Sequence, residues 1–233
     1  MSINDEIILE GSYQYFQKDV NYSQENFKLI HAPETKNYYI SAEILSRIET
    51  GEFLKVMVRF EMNGHFNPIF VRIEKILGSQ YSQETFNFDL IAQELKYTFK
   101  NSISSQDFTR SLSTKHYLGS PAFSTSAIFT LTKKLDATSR TPIPLINSQN
   151  DWIYESPPQE KVIYAELKAK DVLDFKLNNT PLSASHLCLY EFNEASSSDN
   201  PVDIYVSKHY AIPYQLIHGD QRIVIKNLTK NGS

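Results

Sequence analysis

Glycine is scarce in this chain, seven residues in 233. That argues against the Gly-rich turns that cradle phosphates in nucleotide sites and against repeat architectures built on Gly turns. No Gly-x-Ser-x-Gly elbow, Walker loop or dinucleotide fingerprint occurs. Cysteine is reduced to one, Cys188. An internal disulfide is therefore excluded, and a reducing, cytoplasmic location is expected. No stretch approaches the ~18 consecutive apolar residues of a membrane span, so no transmembrane segment is expected. The chain starts Met1-Ser2-Ile3-Asn4-Asp5-Glu6, with acid where a secretory leader carries base. The sequons at Asn21, Asn178 and Asn227 are accordingly read as carrying no glycan. A basic surplus is missing too: 23 Lys and Arg face 27 Asp and Glu, for a net charge of -4. An acidic balance repels phosphate backbones, so no nucleic-acid partner is expected.

Aromatic residues are plentiful, with 14 Tyr and 14 Phe beside a single Trp. Aromatic and β-branched side chains suit a pleated, half-buried surface, and their surplus favours strands. The alternation is clearest over residues 53–62, where Leu54, Val56, Val58 and Phe60 oppose Lys55, Met57, Arg59 and Glu61. Residues 68–77 alternate in the same way, after a turn signal at Asn63-Gly64. Residues 37–44 also alternate. A helix capped by Ser41 and stopped at Gly51 competes there, but Thr50-Gly51 lies between two strand-like runs, and a hairpin is preferred. Further strands are expected at 85–88, 95–99, 127–131, 142–146, 151–154, 161–168, 171–177, 186–192, 202–207, 213–218 and 222–228. A turn is expected at 178–181, and a solvated loop at 194–200. The Ser-rich segment 101–126 is the expected lid, since a long irregular loop in a compact domain is often functional.

No βαβ rhythm and no linker interrupt this series. The expected fold is mainly β, an antiparallel and strongly curved sheet or incomplete barrel, with one or two short helices or loops as a lid. Residues 1–233 are expected to form a single β domain, with 1–10 and 229–233 as flexible ends. The last three strands, Val202-Asp203-Ile204-Tyr205-Val206, Ile212-Pro213-Tyr214-Gln215-Leu216 and Ile223-Val224-Ile225-Lys226-Asn227-Leu228, resemble the closing strands of LolA/LolB-type lipoprotein carriers. The resemblance covers about 27 residues. It implies an incomplete antiparallel barrel around an apolar cavity that takes acyl chains. A few relatives of that shape are enzymes of pigment biosynthesis. The carriers have a signal peptide, which this chain is not expected to have.

Six histidines supply acid–base candidates: His31, His65, His116, His186, His209 and His218. None has metal-ligand spacing, so no metal and no cofactor are expected. Two His-Tyr pairs in loops, His116-Tyr117 and His209-Tyr210, are the catalytic candidates, because loops over a barrel mouth reach a ligand. The plainer reading makes one an exposed loop histidine and the other a turn. His186 and Cys188 lie two apart on one strand face, so the thiol is either an activated nucleophile or a small core residue. Arg59, Glu61 and Arg72 normally mark a solvent face, but turned inward they would suit a carboxylated or phosphorylated ligand. Trp152 is a rim anchor or a stacking platform.

The expected function is intracellular binding of an apolar or amphipathic small molecule, a lipid-like ligand included, in the cavity of a β half-barrel. The alternative is a cofactor-independent enzyme of small-molecule metabolism on the same scaffold, and a protein-interaction module with open sheet edges is the third class. Nothing in the sequence specifies an oligomeric state.

Overall fold

The computed structural model describes residues 5–112, 115–177, 179–191 and 201–231, without the side chains of 171–175. The expected polar loop at 194–200 lies outside the described residues, as do Asn178 of the expected turn and Phe192 at the end of the strand expected over 186–192. Among the described residues are fifteen strands: β1 (Glu6–Gln17), β2 (Val20–Ala32), β3 (Asn37–Arg47), β4 (Phe53–Met62), β5 (Pro68–Leu77), β6 (Gln80–Asp89), β7 (Glu94–Asn101), β8 (Ser105–Ser111), β9 (Tyr117–Leu118), β10 (Thr141–Asn147), β11 (Gln159–Leu177), β12 (Thr180–Glu191), β13 (Val202–Ser207), β14 (Pro213–His218) and β15 (Gln221–Lys230). Two 3₁₀ turns, Phe123–Thr125 and Ile128–Leu131, are the helical elements among those residues.

All the strands belong to one sheet, ordered β8-β7-β6-β5-β4-β3-β2-β1-β15-β14-β13-β12-β11-β10-β9. Every neighbouring pair is antiparallel except the short β9–β10 contact, which is parallel. The chain thus runs outward from β1 to one edge, crosses to the other, and returns to β1 through β15. The two edge strands, β8 and β9, are separated by only residues 112–116 in sequence. Such a connector spans about 20 Å at most. The far edges of a fifteen-stranded sheet are therefore near neighbours, and the sheet curls into an incomplete barrel, as expected. No described helix is long and apolar enough to cross a membrane.

The concave face carries the core. Val56, Val58 and Phe60 of β4, Val71 and Ile73 of β5, and Phe86 and Phe88 of β6 are buried against Tyr97 and Phe99 of β7. At the β3–β4 hairpin Gly51 takes a φ of +88°, a conformation L side chains rarely adopt, and its N–H bonds the Ile48 carbonyl at 2.9 Å. The hairpin reading of 37–62 therefore holds, with β3 running on through the residues that offered a helix.

Several expectations need correction. Residues 127–131, expected as a strand, form a 3₁₀ turn from Ile128. Residues 151–154 are a bent loop, not an extended piece. Residues 6–10 and 229–230, expected in flexible ends, are paired in the sheet: Glu6 and Ile7 lie opposite His31 and Ile30, Leu9 opposite Lys230 and Glu10 opposite Thr229. The Ser-rich lid is no lid: residues 105–111 form edge strand β8, and residues 122–129 turn into the interior. The first two strands had no expectation at all. In β1 the alternation is interrupted by Gly11-Ser12 and a register shift between Ser12 and Tyr13. In β2 two of the inward positions are polar, Ser23 and Glu25.

Candidate functional site

Those polar residues of β2 organise the interior. Beyond β9 the chain leaves the sheet at Gly119-Ser120-Pro121 and enters the concave side. Ala122, Phe123, Ala127, Ile128 and Phe129 are all buried there. The segment is short, β-branched and rich in hydroxyls, and it makes two 3₁₀ turns rather than an α-helix. Thr125 and Thr130 bond the carbonyls of Ala122 and Ala127, each at 2.8 Å, which stabilises such turns locally. Glu25 receives the backbone N–H of Phe123 at 2.8 Å and of Ser124 at 3.0 Å. The Tyr15 hydroxyl donates to the same carboxylate. Burial pushes the Glu25 carboxyl up in pKa, against hydrogen bonds that favour its charged form. Tyr13 closes the other side. It stacks on Phe27 at 5.1 Å, meets Phe123 edge-on at 4.9 Å, and donates to the Pro213 carbonyl at 2.9 Å. Segment 122–131 is thus an internal plug clamped to β1 and β2.

The plug leaves an opening on the side of β11, β12 and β13. A pocket of about 380 Å³ lies there, with Leu135, Leu167, Leu187 and Val206 as apolar walls. Thr130, Ser185 and Ser207 add hydroxyls, and Lys133, Lys170 and Lys208 add three cationic side chains. Among the described residues, no acidic one lines it. The size is within the range of small-molecule sites. A larger depression of about 610 Å³ lies over Gly11, with Asn26, Phe27 and Lys28 of β2 along it. It is lined by outer-face residues of mixed charge, Glu10, Lys28 and Glu43 among them, and two of these already pair with each other, Lys28 with Glu10 at 3.5 Å.

The structure scatters most of the residues singled out from sequence. Arg59 and Arg72 are exposed on the convex face, Arg59 over the Tyr39 ring at 5.1 Å and 3.4 Å from Glu61. An inward charged lining is therefore not what these strands make, because their apolar residues take the concave side. Trp152 is half-buried in the 148–158 loop, its carbonyl receiving Asn101 at 2.9 Å. The loop hangs on buried Asn150, which bonds the Tyr97 hydroxyl, the Ser156 carbonyl and the Glu155 N–H.

His116 is buried, not an exposed loop residue. Its Nε2 lies 3.2 Å from Glu160, which Arg110 of β8 also reaches at 2.8 Å. The pair of contacts draws the two sheet edges together. Tyr117 is buried and shares a 2.5 Å hydrogen bond with Thr132, and burial pushes its pKa up. His209 and Tyr210 lie in the β13–β14 turn, His209 exposed, beside Leu9, Leu228 and Lys230. Among the described residues no contact joins the two His-Tyr pairs, so they do not form one acid–base site.

His186 and Cys188 do share a face of β12, and they gain a partner that sequence spacing had hidden. Asp203 of β13 lies directly opposite Cys188, and Tyr205 opposite His186. His186 Nε2 is 2.7 Å from Asp203 Oδ1, and Cys188 Sγ donates to the same oxygen at 3.1 Å. The sulfur is 4.0 Å from His186 Nε2, and the imidazole stacks on Tyr205 at 4.6 Å and 6°. Burial, then the Asp203 carboxylate, push the thiol up to about 11. The shift is opposite in direction to the one that activates a nucleophilic cysteine. Glu166 of β11, opposite Cys188 on its other side, pairs with Lys168 and Arg140 and accepts from the Tyr190 hydroxyl at 3.0 Å. Arg140 lies 3.7 Å over the Tyr190 ring.

No family model matches this sequence, and none of the curated proteins searched matches it. Among solved structures, the beta-barrel-like protein of the domain of unknown function DUF1849 from Brucella abortus superposes with a TM-score of 0.62. The match covers 97% of this chain and 98% of that one, at 7% sequence identity. The likeness is one of fold: this chain shares a beta-barrel-like architecture with that protein over nearly its whole length.

Proposed function

We propose that this chain is an intracellular binding protein for an anionic amphiphile, an acyl chain with a carboxylate or similar head. The observation that carries the reading is the pocket between the plug and strands β11–β13, apolar at its walls and supplied with three lysines and, among the described residues, no acid. Tail burial contributes roughly 0.8 kcal/mol per methylene. An exposed ion pair contributes under ~1 kcal/mol. The tail therefore sets affinity, while Lys133, Lys170 and Lys208 choose the sign of the head. A half-barrel that carries acyl chains, of the kind the closing strands resemble, fits the same chemistry.

Calorimetry on delipidated full-length protein, with dodecanoate, dodecanol and dodecyltrimethylammonium as probes, tests the proposal. Dodecanoate should bind saturably and best, and its advantage should shrink in high salt. The double variant Lys133→Glu/Lys170→Glu should erase that preference. Equal binding of the cationic probe, or no saturable binding of any, defeats the reading.

A further inference from the structure

We propose that His186, Cys188 and Asp203 form a binding site for a borderline divalent cation of the zinc class, on the convex face of the sheet. The three ligand atoms, an imidazole nitrogen, a sulfur and a carboxylate oxygen, all lie within 4.8 Å of one another. Their separations are 2.7, 3.1 and 4.0 Å. Zinc bonds of about 2.0 Å to nitrogen and oxygen and 2.3 Å to sulfur place tetrahedral ligands about 3.3–3.5 Å apart. Each separation is thus within about 0.6 Å of what a bound ion would set.

The backbone holds these side chains in place. His186 and Cys188 are alternate residues of one strand, and the β12–β13 register sets Asp203 against Cys188. The stacked Tyr205 restrains the imidazole plane. Access is one-sided: the His186 and Asp203 side chains are 22% and 36% exposed, while Cys188 is buried beneath them. A cation would arrive from solvent and keep its fourth position for water. A thiolate and a carboxylate together carry two negative charges, which balance a divalent ion. Sulfur and imidazole together select zinc-class ions over magnesium or calcium, which take oxygen ligands. The site is independent of the amphiphile pocket. Leu187, between His186 and Cys188, points to the opposite face and lines that pocket.

Cobalt is the probe, because a cobalt–thiolate bond absorbs in the near ultraviolet. Metal-free, reduced full-length protein titrated with Co²⁺ should develop that band with one-to-one stoichiometry, and Zn²⁺ should bleach it. Cys188→Ser, which keeps a donor for Asp203, should abolish the band. His186→Gln and Asp203→Asn should weaken Co²⁺ binding at least about tenfold, with circular dichroism unchanged. No saturable band at millimolar Co²⁺, or a band that survives Cys188→Ser, overturns the proposal. Dodecanoate binding of the same variants should be unchanged, which separates the two sites.

Discussion

Glu25 on β2 accepts the backbone N–H of Phe123, the first residue of the interior 3₁₀ turn, at 2.8 Å. One carboxylate, facing inward from a strand, anchors a segment 98 residues away in sequence. With the apolar packing of Phe123, Ile128 and Phe129, it seats this segment of the chain against the concave face of the sheet. Glu25→Ala leaves the Phe123 and Ser124 N–H groups and the Tyr15 hydroxyl without that acceptor. At about 1–3 kcal/mol for each buried donor stranded, and with partial repair by water, a loss of about 3 kcal/mol is expected in urea unfolding. Amide exchange at residues 123–124 should accelerate. A loss under about 1 kcal/mol would mean that the apolar packing of the plug, not the carboxylate, holds it.

Glu25 and Glu84 also set a pH dependence. Burial raises both carboxyls above the ordinary value of 4.5. In the window between 4.5 and those raised values, the folded protein holds protons that the unfolded chain has released. Their contribution to stability is thus full below the ordinary value and falls as pH rises through the folded one. Glu84→Gln removes one such proton. Wild type should lose stability relative to this variant on going up through the window, by at most about 1.4 kcal/mol per pH unit. Chemical denaturation at a series of pH values measures the difference, and a constant offset would refute the assignment.

Gly11 of β1 lies between Phe27 of β2 and Leu228 of β15. A Cβ there would lie 2.6 Å from the Asn227 carbonyl oxygen and 2.8 Å from the Phe27 ring. Both neighbours are fixed, one by the sheet ladder and the other by the Tyr13 stack. Gly11→Ala should therefore destabilise by about 1–3 kcal/mol, the range for forced overpacking. Thermal melts report it, and an unchanged midpoint would show that β1 can shift.

Glu160 draws the sheet edges together through Arg110 and His116. The Arg110 pair is partly exposed, at 30% and 37%, so screening limits its share. The buried His116 would lose its carboxylate partner. Glu160→Ala is expected to cost about 1–2 kcal/mol and to speed amide exchange in β8. Equal exchange in β8 would place closure elsewhere.

The bounds of β4, β5, β13 and β14 were legible in sequence to the residue: period-two alternation is clear in β4 and in the first half of β5, and Pro213, His218 and the Gly219-Asp220 turn mark the bounds of β14. β1 and β2 were illegible for a physical reason. Gly11-Ser12 sits at a bulge, and Ser23 and Glu25 point inward, so the polarity pattern inverts where the plug is clamped. The apolar run 127–131 was mistaken for a strand because burial on all sides erases periodicity, and a short buried turn and a short buried strand then look alike. The His186–Cys188 pairing on one face was visible from spacing, whereas Asp203 was not.

By itself the sequence determined the material of this protein: alternating aromatic and aliphatic strands, polar turns, one thiol and few glycines. Those are local properties, set by backbone period and side-chain chemistry. Register and curl decided the rest. They bring Asp203 to His186 and Cys188, fold residues 122–131 inward onto Glu25, and gather Lys133, Lys170 and Lys208 around one apolar pocket. Each of these joins residues from separate strands or loops, and pairing between strands is fixed by the packing of the whole sheet, not by any one segment of it.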